Sequence, residues 1–288
     1  MTSIYPSFYP QFRCKAHRCA HTCCMGWEID IDPVTARRYL SDPSPLGDRL
    51  RAAITFDGDT YSFALTEEER CPFLDKDDLC DIIKARGEDA LCDVCALHPR
   101  FFETVHDIEL CGLGLSCEAV CTLLTDAPAL RFVSDTGQAF DFAALLDLLG
   151  CKTVTDFRFT PRPGAAYYAE ILTLMAKTEP IDDAWTQRLG QLSNMVQNIA
   201  ASAKAYAQTY DRALFDRIYQ YITYRQIENL DAYGMNAVLT YGRLCTEFIF
   251  LQDAIAPATA AHMRRFSEQI EYSTENVDIL MQKITPDR

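Results

Sequence analysis

Thirteen cysteines stand in this 288-residue chain, and eleven of them fall before residue 122: Cys14, Cys19, Cys23, Cys24, Cys71, Cys80, Cys92, Cys95, Cys111, Cys117 and Cys121. Only Cys151 and Cys245 lie beyond. Cysteines used as small apolar fillers would scatter along the chain. Clustering leaves disulfides or metal ligation. Disulfides serve chiefly exported domains with weak cores. Here 49 % of the residues are hydrophobic, and the opening Met1–Pro10 lacks the basic-then-apolar run of a secretory signal. Metal ligation is therefore favoured, and a cytoplasmic location is expected.

The spacings describe that chemistry more closely. Cys14-x4-Cys19-x3-Cys23-Cys24 lets short loops converge several sulfurs on one ion, as zinc and iron–sulfur sites do. Cys92-x2-Cys95 can grip one metal with two sulfurs, whereas its redox reading needs a thioredoxin-like strand–helix context that is missing. Cys71 and Cys80 bracket an acidic turn, Asp75–Asp78, that could bring both together. The candidate ligands are thus Cys14, Cys19, Cys23, Cys24, Cys71, Cys80, Cys92 and Cys95, with Cys117 possible; Cys111 and Cys121 read equally well as buried fillers. His17, His21 and His98 fall inside the same segments and fit an outer or surface role better than ligation. The thiols outnumber the four that one zinc or one 4Fe–4S cluster takes, so either two centres or one centre with spectators is implied. Thiolate-rich sites select zinc, Cu(I) or iron–sulfur over magnesium and calcium.

These pieces, in this order, resemble the flagellin lysine N-methylase family: Phe12-x-Cys14-x4-Cys19-x3-Cys23-Cys24-x-Gly26-Trp27-x-Ile29-x-Ile31-Asp32, then Cys71-Pro72-Phe73-Leu74, Leu79-Cys80-x-Ile82, Leu91-Cys92-x2-Cys95 with Pro99-Arg100, and Leu115-Ser116-Cys117-Glu118. The cysteine-rich part is also similar to the broader group of zinc- or iron-chelating domains with a CxxCxxCC-type signature. The match is dense over about residues 8–121 and diffuse beyond. It implies methyl transfer from S-adenosylmethionine to a protein lysine, flagellin or similar, in a protein holding a 4Fe–4S cluster, with zinc the alternative. The residues themselves show no Gly-rich strand–loop–helix for a nucleotide. A CxxxCxxC pattern begins at Cys19 and again at Cys117, but Gly26 and Leu124 interrupt it. None of the fourteen tyrosines stands out as a base. A non-enzymatic metal-binding scaffold, or a thiol–disulfide protein built on Cys92 and Cys95, therefore stays open.

The elements that must position these groups change character along the chain. Residues 1–31 read as irregular coil. Asp32-Pro33 opens a helix over Val34–Leu40, and Leu46–Ala53 forms a second. Hairpins are expected at 54–56/61–65, 71–74/79–82 and 101–105/108–110, then a helix from Ser116. After a short strand at Leu130–Val133, apolar residues recur at helical spacing over Phe140–Leu149, Ala165–Lys177, Ala184–Ala207, Arg212–Asn229, Ala232–Ile255 and Thr259–Lys283. The aromatic stripe Phe215, Tyr219, Ile222, Tyr224 and Tyr241 belongs to a bundle core. The expected fold is mainly α with small β elements: a Cys-rich metal-binding lobe, 1–126, packed on a helical domain, 127–288.

Charge narrows the partners. The net charge is −14, and the first 126 residues hold 22 acidic against 12 basic side chains. A nucleic-acid partner requires a basic face to displace counterions, so none is expected. No stretch approaches the roughly 18 apolar residues of a membrane span.

Overall fold

The computed structural model describes residues 1–151 and 157–284. It is mainly helical with small sheets, as the residue pattern predicts. The chain divides by contacts into Arg13–Phe101 and a second unit formed by Met1–Phe12 with Phe102–Arg288. This division by contacts differs from the boundary expected near residue 126. Its cause is the first strand, β1 (Thr2–Pro6), where the residue pattern suggests coil. β1 draws the N-terminus into a sheet with later strands, and Cys111, Cys117 and Cys121 go with that sheet's unit.

The Arg13–Phe101 unit begins with β2 (Asp30–Ile31), α1 (Pro33–Leu40) and α2 (Pro45–Ala53). Asp32 caps α1 as expected, its carboxylate accepting from Thr35 N at 2.8 Å, and Pro33 occupies the first helical position. Ser44 caps α2 in the same manner through Gly47 N. β3 (Ile54–Phe56) and β4 (Tyr61–Phe63) form the expected hairpin, and β2 joins it in the order β2-β4-β3. Asp57 closes its turn by accepting from Asp59 N and Thr60 N. The expected 71–74/79–82 hairpin shrinks to one bridge, Leu74 with Cys80, before α3 (Asp81–Arg86) and α4 (Asp93–Leu97). The core joins Ile29, Ile31, Tyr39, Leu50, Phe63, Phe73 and Ile82, with Phe63 ring centroids 5.0 Å from Phe73 and 6.0 Å from Tyr39.

The second unit adds β5 (Arg100–Val105), β6 (Ile108–Leu113), α5 (Glu118–Asp126), β7 (Phe132–Ser134) and β8 (Ala139–Phe140). The sheet order is β5-β6-β1-β7-β8, so β1 lies at its centre, parallel to β6 (Ile4 opposite Leu110) and antiparallel to β7 (Ile4 opposite Ser134). Helices follow: α6 (Phe142–Leu148), α7 (Ala165–Met175), α8 (Asp183–Asn194), α9 (Val196–Tyr206), α10 (Arg212–Arg225), α11 (Leu230–Tyr233), α12 (Met235–Asp253), α13 (Thr259–Phe266) and α14 (Thr274–Ile284). Three of the expected long helices are interrupted. Ala184–Ala207 breaks at Met195 (φ −107°, ψ 10°), Gly234 (φ +83°) precedes α12, and Thr259–Lys283 contains a π-helical turn, Ser267–Glu271. The aromatic stripe is core, with Phe215, Tyr219, Ile222, Tyr224 and Tyr241 all buried. Tyr224 and Tyr221 also tie α10 to the sheet: the Tyr224 hydroxyl donates to Cys111 O (2.8 Å), and the Tyr221 hydroxyl donates to Leu113 O (2.6 Å) and accepts from Leu113 N (2.9 Å). Among the described residues no helix is long and apolar enough to cross a membrane.

Candidate metal centre

Five of the candidate cysteines gather in the Arg13–Phe101 unit. Cys71 and Cys92 are buried within its core, and Cys24, Cys80 and Cys95 pack against it half-buried. Each is delivered by a different local device. The Cys24 carbonyl accepts from Cys71 N at 2.9 Å, and the neighbouring Met25–Arg70 bridge locks the two segments side by side. That crossing requires a sharp turn at Gly26 (φ +73°), whose N–H donates to Glu69 O. Leu74 N bonds Cys71 O and Asp81 N bonds Phe73 O, folding 71–81 back on itself. Asp75 holds the intervening turn by accepting from Asp77 N and Leu79 N, with Lys84 paired to it at 2.5 Å.

Cys80 and Cys92 stand at the N-caps of α3 and α4. Free amides at a helix start favour a negative sulfur. The amides of Ile82 and Ile83 act this way on Cys80, and that of Cys95 on Cys92. Asp32 bridges elements here: its second oxygen accepts from Asp93 N at 3.2 Å, fixing the start of α4 beside α1.

The thiols' mutual influence describes the site's chemistry. A hydrogen bond with Cys95 lowers Cys92, and in return Cys95 is driven far up, first by Cys92 and then by burial. A bond with Cys23, reinforced by Thr22 and the nearby Arg70, brings Cys24 down to about 7. Burial pushes Cys71 up to about 11, and Cys24, Cys80 and Cys92 add to it by repulsion. Burial also raises Cys80, again with a contribution from Cys24. These five sulfurs resist simultaneous ionisation, because each new thiolate raises its neighbours. A bound cation removes that conflict, since metal ligation requires deprotonated thiols. Thiol donors of this kind suit a soft metal or an iron–sulfur cluster by their chemistry. Among the described residues, no three His, Cys, Asp or Glu side chains stand at coordination spacing.

The other expected positions fall elsewhere. Cys14 and Cys23 are exposed and Cys19 is half-buried, all in the loop before Ile29. Cys14 Sγ accepts from Ala16 N at 3.4 Å, and the Cys19 thiol donates to His21 O at 3.3 Å. His17 and His21 are exposed, while His98 is half-buried and held below its ordinary pKa by desolvation. Cys117 lies in the second unit as N-cap of α5. Cys121 is fully buried there, its thiol donating to Leu115 O at 3.0 Å, and burial raises both it and Cys111. Residue types alone give no hint of Asp32's second role or of Arg70. The one available signal is position, Arg70 immediately preceding Cys71.

No protein-family profile matches the chain, and no solved structure is similar to it. Curated sequences are. A lysine-N-methylase of Salmonella choleraesuis and another of Salmonella typhimurium are each 28 % identical over 219 residues, covering 68 % of this chain and 52 % of the relative. A flagellar biosynthetic protein FliU of Salmonella muenchen is 27 % identical over 141 residues, covering 44 % of this chain and 79 % of the relative. The chain spans about half the length of the lysine-N-methylases it matches. The order of its cysteine motifs and this similarity agree: over 68 % of its length the chain resembles curated lysine-N-methylases.

Proposed function

We propose that this chain transfers a methyl group from S-adenosylmethionine to the ε-amine of a lysine in a protein substrate, flagellin or a similar filament subunit. The carrying observation is the similarity to proteins named lysine-N-methylase, and the name of the flagellar relative supports the substrate. Cys24, Cys71, Cys80, Cys92 and Cys95 would hold an iron–sulfur cluster in the Arg13–Phe101 unit, with zinc as the alternative occupant. When bound, such a cluster supplies positive charge to its thiolates and one-electron chemistry.

The chain's own residues must then do three things. They must hold the substrate lysine, lower the cost of its neutral form from a starting pKa near 10.4, and exclude water from the methyl donor. The test has two independent arms. Anaerobically purified protein should be brown with about four irons per chain, as one 4Fe–4S cluster requires; a colourless protein holding only zinc would remove the cluster from the proposal. Isotope-labelled S-adenosylmethionine should label flagellin in the presence of the metal-loaded protein. A metal-loaded chain that neither binds the donor by calorimetry nor labels any protein would leave the metal-binding scaffold as the better reading.

A further inference from the structure

α10 builds one wall of an open cavity that lies wholly within the second unit. Ala213, Asp216, Arg217 and Gln220, three and four residues apart, share one face of this helix and line the cavity. Phe215, Ile218 and Ile222, on the opposite face, are buried in the core. Gln220 Nε2 donates to Phe157 O at 3.2 Å and Asp216 accepts from Phe159 N at 2.6 Å, so the chain at 157–159 is tied along that wall. Arg217 donates from Nε to Leu124 O (3.1 Å) and from Nη2 to Thr125 O (2.9 Å), joining the wall to the end of α5. Residues 128–131, before β7, and 141–143, at the start of α6, complete the lining. The enclosed volume is about 510 Å³, inside the roughly 300–1,000 Å³ range of small-molecule sites. Ala129, Ala143 and Ala213 stand where larger side chains would fill it, and all three are exposed, so the cavity is reached from solvent.

The lining selects a ligand that carries both charges. Arg131 Nη1 and Asp141 Oδ2 stand 3.7 Å apart, and both side chains are more than half exposed, 57 % and 56 %. A direct guanidinium–carboxylate hydrogen bond is about 2.7–2.9 Å long, so this pair is loose. Asp141 Oδ1 is committed to Ala144 N at 2.8 Å as the cap of α6. The Arg131 guanidinium and Asp141 Oδ2 therefore keep capacity for a third group. An α-amino acid offers a carboxylate to the first and an ammonium to the second from one carbon. A phosphate or a simple amine satisfies only one of them. Phe157, half-buried, meets Phe142 edge to face with centroids 5.2 Å apart, and gives the cavity an aromatic flank for a planar base. With Arg158 and Arg217, three arginines line the cavity against two carboxylates, in a chain whose net charge is −14. That local balance retains the carboxylate end of a ligand that the rest of the surface repels.

Resting on the lysine-methylation reading, we propose that this cavity is the methyl-donor site: Arg131 holds the carboxylate of S-adenosylmethionine, Asp141 its ammonium, and Phe157 flanks its adenine. The donor's amino-acid group then sits between two charges that the empty site leaves loosely paired. Both are mounted on regular structure, Arg131 immediately before β7 and Asp141 as the cap of α6. The donor carries no phosphate, so the Gly-rich phosphate-cradling loop that the sequence lacks is not required of it.

The test uses the full metal-loaded chain, calorimetry with S-adenosylhomocysteine and with adenosine, and the variants Arg131→Glu, Asp141→Asn and Ala213→Trp, each checked for native circular dichroism. Asparagine at 141 still caps α6, so its effect reports charge and not folding. S-adenosylhomocysteine should bind the parent about tenfold or more tightly than either charge variant, the worth of one charge-assisted hydrogen bond. Adenosine lacks the amino-acid group, so its affinity should hold in both charge variants. Ala213→Trp should fill the cavity and bind neither ligand. Methyl transfer by Asp141→Asn should show a raised KM for the donor with kcat kept. Should Ala213→Trp not fold, the two exposed charge variants decide. Equal affinity for S-adenosylhomocysteine in the parent and all variants overturns the site, and the methylase reading then survives without it. Adenosine affinity that falls in Asp141→Asn as far as that of S-adenosylhomocysteine overturns the placement of the amino-acid group. A parent that binds no S-adenosylhomocysteine and labels no protein removes the methylase reading and this site with it.

Discussion

At the scale of residues, the eleven early cysteines fall into different physical classes. Cys92 is buried, caps α4, and shares a hydrogen bond with Cys95 that lowers its pKa from the ordinary thiol value. Cys111 is buried as well, but its thiol hydrogen-bonds Glu109, and burial joins that carboxylate in pushing it up to about 12, far from ionisation at neutral pH. Substitution separates the two. Cys92→Ala should lose bound metal and make the Arg13–Phe101 unit sensitive to protease, because ligand-bond energy in such sites is folding energy. Cys111→Ala should keep its full metal content and lose only about 1 kcal/mol from a small cavity. Metal analysis with limited proteolysis reads both; equal metal in Cys92→Ala and the parent would remove Cys92 from the ligand set.

At the scale of elements, caps and close approaches carry the argument. Asp32 serves two helices at once, accepting from Thr35 N of α1 and Asp93 N of α4. Burial opposes its charge, yet these bonds outweigh burial and hold the carboxyl below its ordinary value. Asp32→Ala should therefore cost about 2 kcal/mol, the upper end for a lost cap, and Asp32→Asn should recover part of it in denaturant titrations. Gly242 governs the contact of α10 with α12: a Cβ there would meet Thr223 Oγ1 at 2.1 Å, Thr223 Cβ at 3.2 Å and the Tyr219 ring at 3.3 Å. Gly242→Ala should destabilise by about 1–3 kcal/mol despite its better helix propensity, and Thr223→Ala in the same chain should relieve much of that. A stabilised Gly242→Ala would contradict the close contact. The Asp32-Pro33 cap was legible from local chemistry, as were the 54–63 hairpin and the helical register of the second half. β1 was not, because its strand character comes from partners more than a hundred residues away. Neither was the break at Met195 or the π-turn, where apolar periodicity runs on through a backbone that tertiary contacts redirect. At the candidate site the donor types were legible, but their partition was not. Which thiols converge depends on the Cys24–Cys71 crossing and on the two helix N-caps, both properties of the folded chain.

At the scale of the whole molecule, carboxyl groups with shifted pKa values make stability depend on pH in opposing directions. Asp75, held down to about 2 by Lys84 and by backbone amides, belongs to the group whose stabilising contribution is lost as pH falls. Glu247 belongs to the other. It is fully buried on α12, accepts from Arg162 N with both oxygens at 3.1 Å and from the Tyr168 hydroxyl at 3.1 Å, and burial pushes it up to about 7 despite those bonds. The folded chain thus holds a proton on Glu247 that the unfolded chain has released, over the interval from about 4.5 to about 7. Stability must fall as pH rises through that interval and level off above it. Glu247→Gln keeps an acceptor for Arg162 and Tyr168 but cannot ionise. The stability difference between variant and parent should therefore shift in favour of the variant by about 1–3 kcal/mol between pH 5 and pH 8, at roughly 1.4 kcal/mol per pH unit where the slope is full. Denaturant titrations of both proteins across that range measure the difference directly and cancel the carboxylates they share. A difference that is flat with pH, or that moves against the variant on alkalinisation, would show that Glu247 is ionised throughout and that α12 carries a buried negative charge.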